Sequence, residues 1–206
     1  MSTSGTTGHE RTGHEAASPR ELVTSLVRVR QIREFTSEPP SDDALEAITD
    51  VGRWSGSSTN SQPWRFIVIR DREVLRRLHE AGMPQTRSLA TAPAAIAIVL
   101  PDDQFALTHA FDEGRAAERM LDAAYLVGLA AGIAWIKSGI RPLVAELLHL
   151  PEGRFVRTLI VVGHPTEAGL TPKGQGRLPR DEVVFAERWP EGLEAGSADG
   201  VAGVER

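Results

Sequence analysis

An α+β fold in one folded unit is what this chain of 206 residues predicts, and three observations predict it. Helical and strand periodicities alternate between Trp64 and Gly163. The composition, 41% apolar against 25% charged, is that of a soluble globular chain able to bury one sizeable core. A run of small hydroxyls with one Asn and one Gln, Ser57-Ser58-Thr59-Asn60-Ser61-Gln62-Pro63-Trp64, leads straight into the apolar strand Arg65-Phe66-Ile67-Val68-Ile69.

In chain order, residues 1–17 hold almost nothing large and apolar and residues 191–206 are rich in Gly, Ala and Glu, so both are expected to be disordered tails around a domain at 18–190. Ser18, Pro19 and Glu21 stand at N-cap, N1 and N3 of a first helix, with Leu22, Leu26 and Val29 on its buried face. A second helix begins near Ser41-Asp42-Asp43, acidic in its first turn, with Leu45, Ile48 and Val51 inward. Trp64–Arg70 and Ala94–Leu100 read as strands, separated by an amphipathic helix from Asp71 that buries Val74, Leu75 and Leu78 and is capped by Gly82. A longer helix runs from about Ala110 to Ala131. Its stripe of Ala116, Ala117, Met120, Leu121, Ala124, Tyr125, Gly128 and Leu129 is rich in small residues, which suits a subunit interface and a buried central helix equally. Ile133–Ile136 is a short strand, Pro142 opens a helix carrying Leu143 and Leu147, and Thr158–Val162 is a buried strand ended by Gly163.

Several chemistries are excluded. A net charge of -5 argues against a nucleic-acid partner. The absence of cysteine removes disulfides, thiolate nucleophiles and cysteine-bound metal, so redox chemistry has to come from a bound organic cofactor. The longest apolar runs, such as Ala92–Leu100, are of strand length and the first residues are polar, so a cytoplasmic protein without a membrane partner is expected. Gly174-x-Gly176 ends in Pro179 and opens no helix, so no dinucleotide-binding turn or Walker loop is present. The six histidines show no metal spacing and read as surface residues. Ser55-Gly56-Ser57-Ser58 is not a nucleophile elbow.

The loop's donors and acceptors suit a flat heteroaromatic ligand bound by its polar edge. The stretch closely resembles the loop of the FMN-dependent nitroreductase family, whose members carry Ser-Ser-x-Asn-x-Gln-Pro-Trp before a Phe-containing strand; on it lie Ser57, Ser58, Asn60 and Gln62. Three further patches resemble the same family, in order. Arg28-Val29-Arg30-Gln31-Ile32-Arg33-Glu34-Phe35 is similar to its Arg-Arg-Ser-x-Arg-x-Phe, with Val29 for the first Arg and Gln31 for the Ser. The resemblance implies Arg30 at the phosphate, Arg33 near the flavin N1/O2 edge, Gln31 beside them, and Arg28 as the replacement phosphate donor. Guanidinium groups fit both tasks, because a phosphate monoester needs charge-assisted donors and the N1/O2 edge gains negative charge on reduction. Arg87, before the Ala94 strand, is a further candidate for that edge. Gly132-Ile133-Ala134-Trp135-Ile136-Lys137-Ser138-Gly139 resembles Gly-x-x-x-Trp-x-Ser-Gly, with one residue of uncertainty before Ser138. It implies Ser138 and Gly139 near N5, with Ile136 and Lys137 alongside. Lys173-Gly174-Gln175-Gly176-Arg177-Leu178-Pro179 looks like the late phosphate clamp, Arg177 being its arginine and Lys173 a second donor.

What the resemblance implies is a nitroreductase-type fold, a mainly antiparallel sheet flanked by helices, in a domain-sharing homodimer. FMN would sit at the subunit interface, with Arg30 and Arg33 from one chain and the Ser57–Gln62 loop from the other. NADH or NADPH would give a hydride to flavin N5 in a ping-pong cycle that ends on a nitroaromatic or quinone. No side chain is named as catalytic, and no metal is expected. The same motifs fit a pathway-specific flavoenzyme of this fold, a dehydrogenase, dehalogenase or flavin-fragmenting enzyme, and they fit a non-catalytic FMN-binding or storage protein. The segments Met83–Ala92 and Asp102–Ala110 are expected to build the lid.

Overall fold

Ser18 forms the expected capping box: its hydroxyl accepts the Glu21 amide at 3.3 Å while the Glu21 carboxylate accepts the Ser18 amide at 2.6 Å. The helix it opens, α1 (Pro19–Leu22), lasts one turn before a second short helix, α2 (Thr24–Arg28), takes over. Val23 and Thr24 at the break are β-branched, and Thr24 turns its hydroxyl back onto the Arg20 carbonyl at 2.9 Å. Of the face expected to be buried, Leu22 is 70% and Leu26 48% exposed, and only Val29, just past α2, is half-buried against the core. With no buried residue in either turn, so short a helix has little to hold it straight.

The computed structural model describes residues 17–172 and 176–190, so all but Ala17 of the tail expected at 1–17, the whole of the tail expected at 191–206, and Lys173 lie outside the described residues. The chain falls into two compact units that divide between Thr171 and Pro172. In the first, α3 (Asp42–Arg53) is capped by Ser41, whose hydroxyl accepts the Ala44 amide, and buries Leu45 and Ile48. Helix α4 (Arg72–Gly82) is capped by Asp71 through the Glu73 and Val74 amides. Gly82 is the last residue of α4 and not its cap; a Cβ there would overlap Thr86, so the glycine serves packing.

Four strands, β1 (Arg65–Ile69), β2 (Ala94–Pro101), β3 (Ala130–Trp135) and β4 (Arg154–Gly163), form one sheet in the order β1-β2-β4-β3, every pair antiparallel. The central strand β2 and the second half of β4, Leu159–Val162, read as continuous apolar runs because both of their faces are covered. Alternate residues divide between two cores. Ile96, Ile98, Ile160 and Val162 pack with Leu45 and Ile48 of α3 and with Met120 of the long helix α5 (Ala106–Leu126). Ala95, Ala97, Leu159 and Val161 pack with Leu75 and Leu78 of α4 and with Val144 of α6 (Arg141–Leu147).

Helix α5 ends well before the expected Ala131. Gly128 takes a φ of 80°, its amide donates to the Tyr125 carbonyl at 3.1 Å and the Leu129 amide to that of Ala124 at 2.8 Å, a Schellman closure after which Ala130 enters β3. The small-residue stripe is therefore core: Ala116, Ala117, Met120, Leu121 and Ala124 are all buried within their own chain, and α3 comes close enough that a Cβ on Gly52 would overlap Met120. Tyr125 alone of the large stripe residues is exposed, at 38%, and other exposed apolar residues of this region lie off the stripe, Leu107 at 87% and Phe111 at 70%, with Phe105 and Leu126. One last turn of this unit, α7 (Glu167–Leu170), is capped by Thr166, whose hydroxyl accepts the Gly169 amide. In the second unit, α8 (Arg180–Val183) is followed by an edge-to-face pair, Phe185 and Trp189, with ring centroids 5.0 Å apart. Among the described residues no helix is long and apolar enough to cross a membrane.

Candidate functional site

The polar loop before β1 is built against its residues' own preferences. Thr59, Asn60 and Gln62 adopt left-handed backbone, with φ of 50°, 57° and 47°, where a β-branched threonine is rarely found. Such strain persists only where the surroundings over-determine it, and here they do. The Ser57 hydroxyl accepts the Gln62 amide at 2.9 Å, the Gln62 side-chain amide donates to the Asn60 side-chain oxygen at 3.3 Å, and Arg65 donates to the Gln62 and Trp64 carbonyls at 3.2 and 2.7 Å. Helix α5 adds contacts from below. The Ser58 amide donates to both oxygens of Asp112 at 3.2 and 3.0 Å, and Arg119 donates to the Trp54 carbonyl at 2.9 Å. The result is a rigid turn whose Ser58, Asn60 and Gln62 side chains face solvent. The sequence reading found this loop and missed Asp112, whose spacing to Arg115 and Arg119 on one helix face was the available signal.

The basic segment lies along the free edge of β3. The Ile32 amide donates to the Ala131 carbonyl at 2.8 Å, and the Ile133 amide donates to the side-chain oxygen of Gln31 at 3.3 Å. A Cβ on Gly132 would overlap the Ile32 carbonyl oxygen, so that close approach requires glycine. Farther on, Phe35 bridges to Pro165, and the Thr36 amide donates to the His164 carbonyl at 2.8 Å. Gln31 is thus an anchor for its own strand edge. Arg28, Arg30 and Arg33 are exposed; Arg30 donates to the Leu170 carbonyl at 2.9 Å and Arg33 reaches the Gln31 oxygen at 3.4 Å.

Of the turn after β3, Ile136 is fully buried and its amide donates to the Arg157 carbonyl at 2.8 Å, so neither its side chain nor its N–H faces the surface. Lys137, Ser138 and Gly139 are exposed, and nothing lies within 4 Å of where a Gly139 Cβ would stand. Beside them Trp135, 42% exposed, has the Arg157 guanidinium 5.6 Å from its ring centre, and Arg157 is itself paired with the buried carboxylate of Glu113. Arg87 is exposed in a short turn at 87–90, and Arg177 is exposed in the second unit.

In the segment expected to form a lid, His109 is buried and not at the surface, its Nε2 3.0 Å from Asp103. The Phe105 amide and then His109 hold the Asp103 carboxyl below the usual carboxylate range. A hollow of about 330 Å³ bounded by Ser37, Pro39, Pro40, Arg70, Arg72, Pro93 and Ala94 contains none of the candidate residues. Among the described residues no group of three or more His, Asp or Glu is placed to hold a metal ion.

The sheet order keeps the two main patches apart. The loop enters β1 and the basic segment flanks β3, which are opposite edges. At the ordinary spacing between neighbouring strands, the edges are separated by roughly 14 Å. The Arg65 end of β1 and the Trp135 end of β3 nevertheless share one end of the sheet, because Arg65 pairs with Val99, Val99 with Val156, and Trp135 with Thr158.

The sequence model of the Nitroreductase family matches residues 27–94, a span that contains both patches. An Archaeoglobus fulgidus protein with the provisional name NADH dehydrogenase/NAD(P)H nitroreductase is 30% identical over 180 residues, which cover 82% of this chain and 99% of that protein. A Bacillus subtilis protein named FMN reductase (NAD(P)H) is 28% identical over 192 residues, covering 82% of this chain and 74% of that protein. Among solved structures, that of B. megaterium NfrA2 matches with a TM-score of 0.72 at 27% identity, over 84% of this chain and 77% of that one.

Proposed function

The chain belongs to the nitroreductase family, and from that footing we propose that it is an NAD(P)H-driven oxidoreductase that holds FMN and delivers electrons to a small acceptor such as a nitroaromatic or quinone. The observation that carries this reading is the strained loop at 57–62, which holds the Asn60 and Gln62 amides outward in a fixed relation. Amide side chains carry donors and acceptors together and match the mixed polar edge of a flavin ring, whereas guanidiniums match its phosphate. The donor set fits FMN. Arg28 and Arg30 would hold the phosphate; Arg33, with Arg87 in support, would face the N1/O2 edge; Ser57, Ser58, Asn60 and Gln62 would hold the ring; and Lys137, Ser138 and Gly139 would line the N5 side. FMN, when bound, supplies a centre that takes reducing equivalents from a nicotinamide and passes them on.

The protein's own part is to position the partners and to supply positive charge, Arg33 stabilising negative charge at the edge it faces. Donor and acceptor take turns at one exposed face, in keeping with a sequence that has no Gly-x-Gly-x-x-Gly turn of its own. Two copies complete each site on this reading, the loop of one meeting the basic segment of the other. Exposed Leu22, Val27, Leu107 and Phe111 supply apolar surface suited to such a contact.

Equilibrium binding with FMN, followed by anaerobic addition of NADPH, tests the function. The protein should bind FMN, turn yellow and bleach with NADPH; failure to bind FMN would end this reading, and yellow protein that does not bleach would leave a binding protein without catalysis. Sedimentation equilibrium at micromolar protein should report a dimer. A monomer that binds FMN stoichiometrically would contradict the shared site.

A further inference from the structure

Helix α5 carries Asp112, Arg115 and Arg119 at positions i, i+3 and i+7, one face of a helix, and each of them meets the backbone that leads into the polar loop. Arg119 donates to the Trp54 carbonyl at 2.9 Å. The Arg115 guanidinium lies so close over Gly56 that a Cβ there would overlap it. Asp112 is fully buried, accepts the Ser58 amide on both carboxylate oxygens, and pairs with Arg115 at 3.7 Å. A carboxylate that deep is costly to desolvate and gains little for general stability over an apolar residue of similar size. What this one does is local. It fixes the residue immediately before Thr59 and Asn60, the two consecutive residues held in left-handed backbone.

We propose that Asp112, Arg115 and Arg119 are positioning residues, which impose the loop's strained shape from α5 before any ligand arrives. Asp112 also takes the Ser58 amide out of reach, so that Ser58 presents its hydroxyl alone and selectivity at this edge rests on Asn60 and Gln62. The consequence for binding rests on the proposed FMN site; the control of loop shape does not.

Hydrogen exchange over residues 55–62 of the cofactor-free protein, read by mass spectrometry, is the first arm of the test, and titration with FMN is the second. Asp112→Ala should raise exchange in that segment and weaken FMN binding by about tenfold each, the scale of a lost hydrogen bond to a charged group. Asp112→Asn, whose side-chain oxygen still accepts the Ser58 amide, should recover most of both. Glu113→Gln alters the adjacent buried carboxylate, which pairs with Arg157 and makes no hydrogen bond to the loop, and should leave exchange over 55–62 unchanged. Wild-type exchange and affinity in Asp112→Ala, or an equal rise in exchange in Glu113→Gln, would overturn the proposal. Arg115→Ala and Arg119→Ala change exposed side chains and carry the same test should Asp112→Ala not fold. Should the wild-type protein bind no FMN, the proposed function fails while the exchange arm still decides this inference.

Discussion

The loop at 57–62 and the basic segment at 28–33 both face solvent, and they are held in opposite ways. In the loop, backbone and side chains are tied down together: Ser57 to Gln62, Gln62 to Asn60, Ser58 to Asp112. In the basic segment the backbone is fixed, by Ile32 against Ala131 across Gly132, and Gln31 is tied to the Ile133 amide, but the charged side chains are not: Arg30 and Arg33 have one hydrogen bond each and Arg28 projects from a helix end. Fixed amides discriminate by shape, because a ligand that does not match leaves buried polar groups unsatisfied. Long guanidinium side chains follow charge and tolerate a range of poses. The loop is suited to selecting a ligand and the arginines to retaining it.

Breaking the backbone anchor of the basic segment should have the largest effect. Gly132→Val would drive a side chain into the Ile32 carbonyl and cost up to about 3 kcal/mol of stability, measured by denaturant titration. Tolerance of valine would show that the segment is not held by this contact. Arg30→Gln removes one charge and an exposed hydrogen bond to the Leu170 carbonyl but leaves the Ile32 anchor in place, so FMN affinity should fall by about 2 kcal/mol, recoverable with excess FMN. Its folding stability should stay within about 0.5 kcal/mol of wild type. Arg33→Gln sharpens the distinction further, lowering the flavin midpoint potential in a potentiometric titration whereas Arg30→Gln leaves it in place. The reverse pattern would mean that the register across 28–33 is misassigned, with Val29 and Gln31 as the cause. The smallest effect is expected in the loop. Thr59→Gly relieves a left-handed threonine at some cost in unfolded-chain entropy, a net gain of about 0.5 kcal/mol, while a looser loop binds FMN more weakly. Loss of both stability and affinity would argue that the threonine side chain, with its hydroxyl on the Ser58 carbonyl, is what holds the turn.

Elements with a local signature were readable from the sequence. Ser41 and Asp71 start their helices as expected, and β2 runs over Ala94–Pro101 where the apolar run predicted Ala94–Leu100. The failures came where a residue type serves two purposes. Gly128 fits a small-residue helix stripe as well as it fits the left-handed residue of a Schellman closure, and the second use won. Leu22 and Leu26 have helical spacing whether or not a core waits beneath them, and here they are exposed. For the candidate site, the loop and the arginines were visible as composition. The left-handed residues and the grip of Asp112 were not, because both depend on α5, far along the chain, passing beneath Ser58.

In the two-copy site proposed above, the sheet order β1-β2-β4-β3 has a genetic consequence. With the loop beside one edge strand and the arginines beside the other, a substitution in either region damages a different half of every site in a two-fold assembly. Chains altered only at Arg30, mixed with chains altered only in the loop, would pair into heterodimers with one wholly wild-type site and one doubly damaged site. Two impaired alleles could then complement each other in a single cell, which no pair of lesions on the same edge could do.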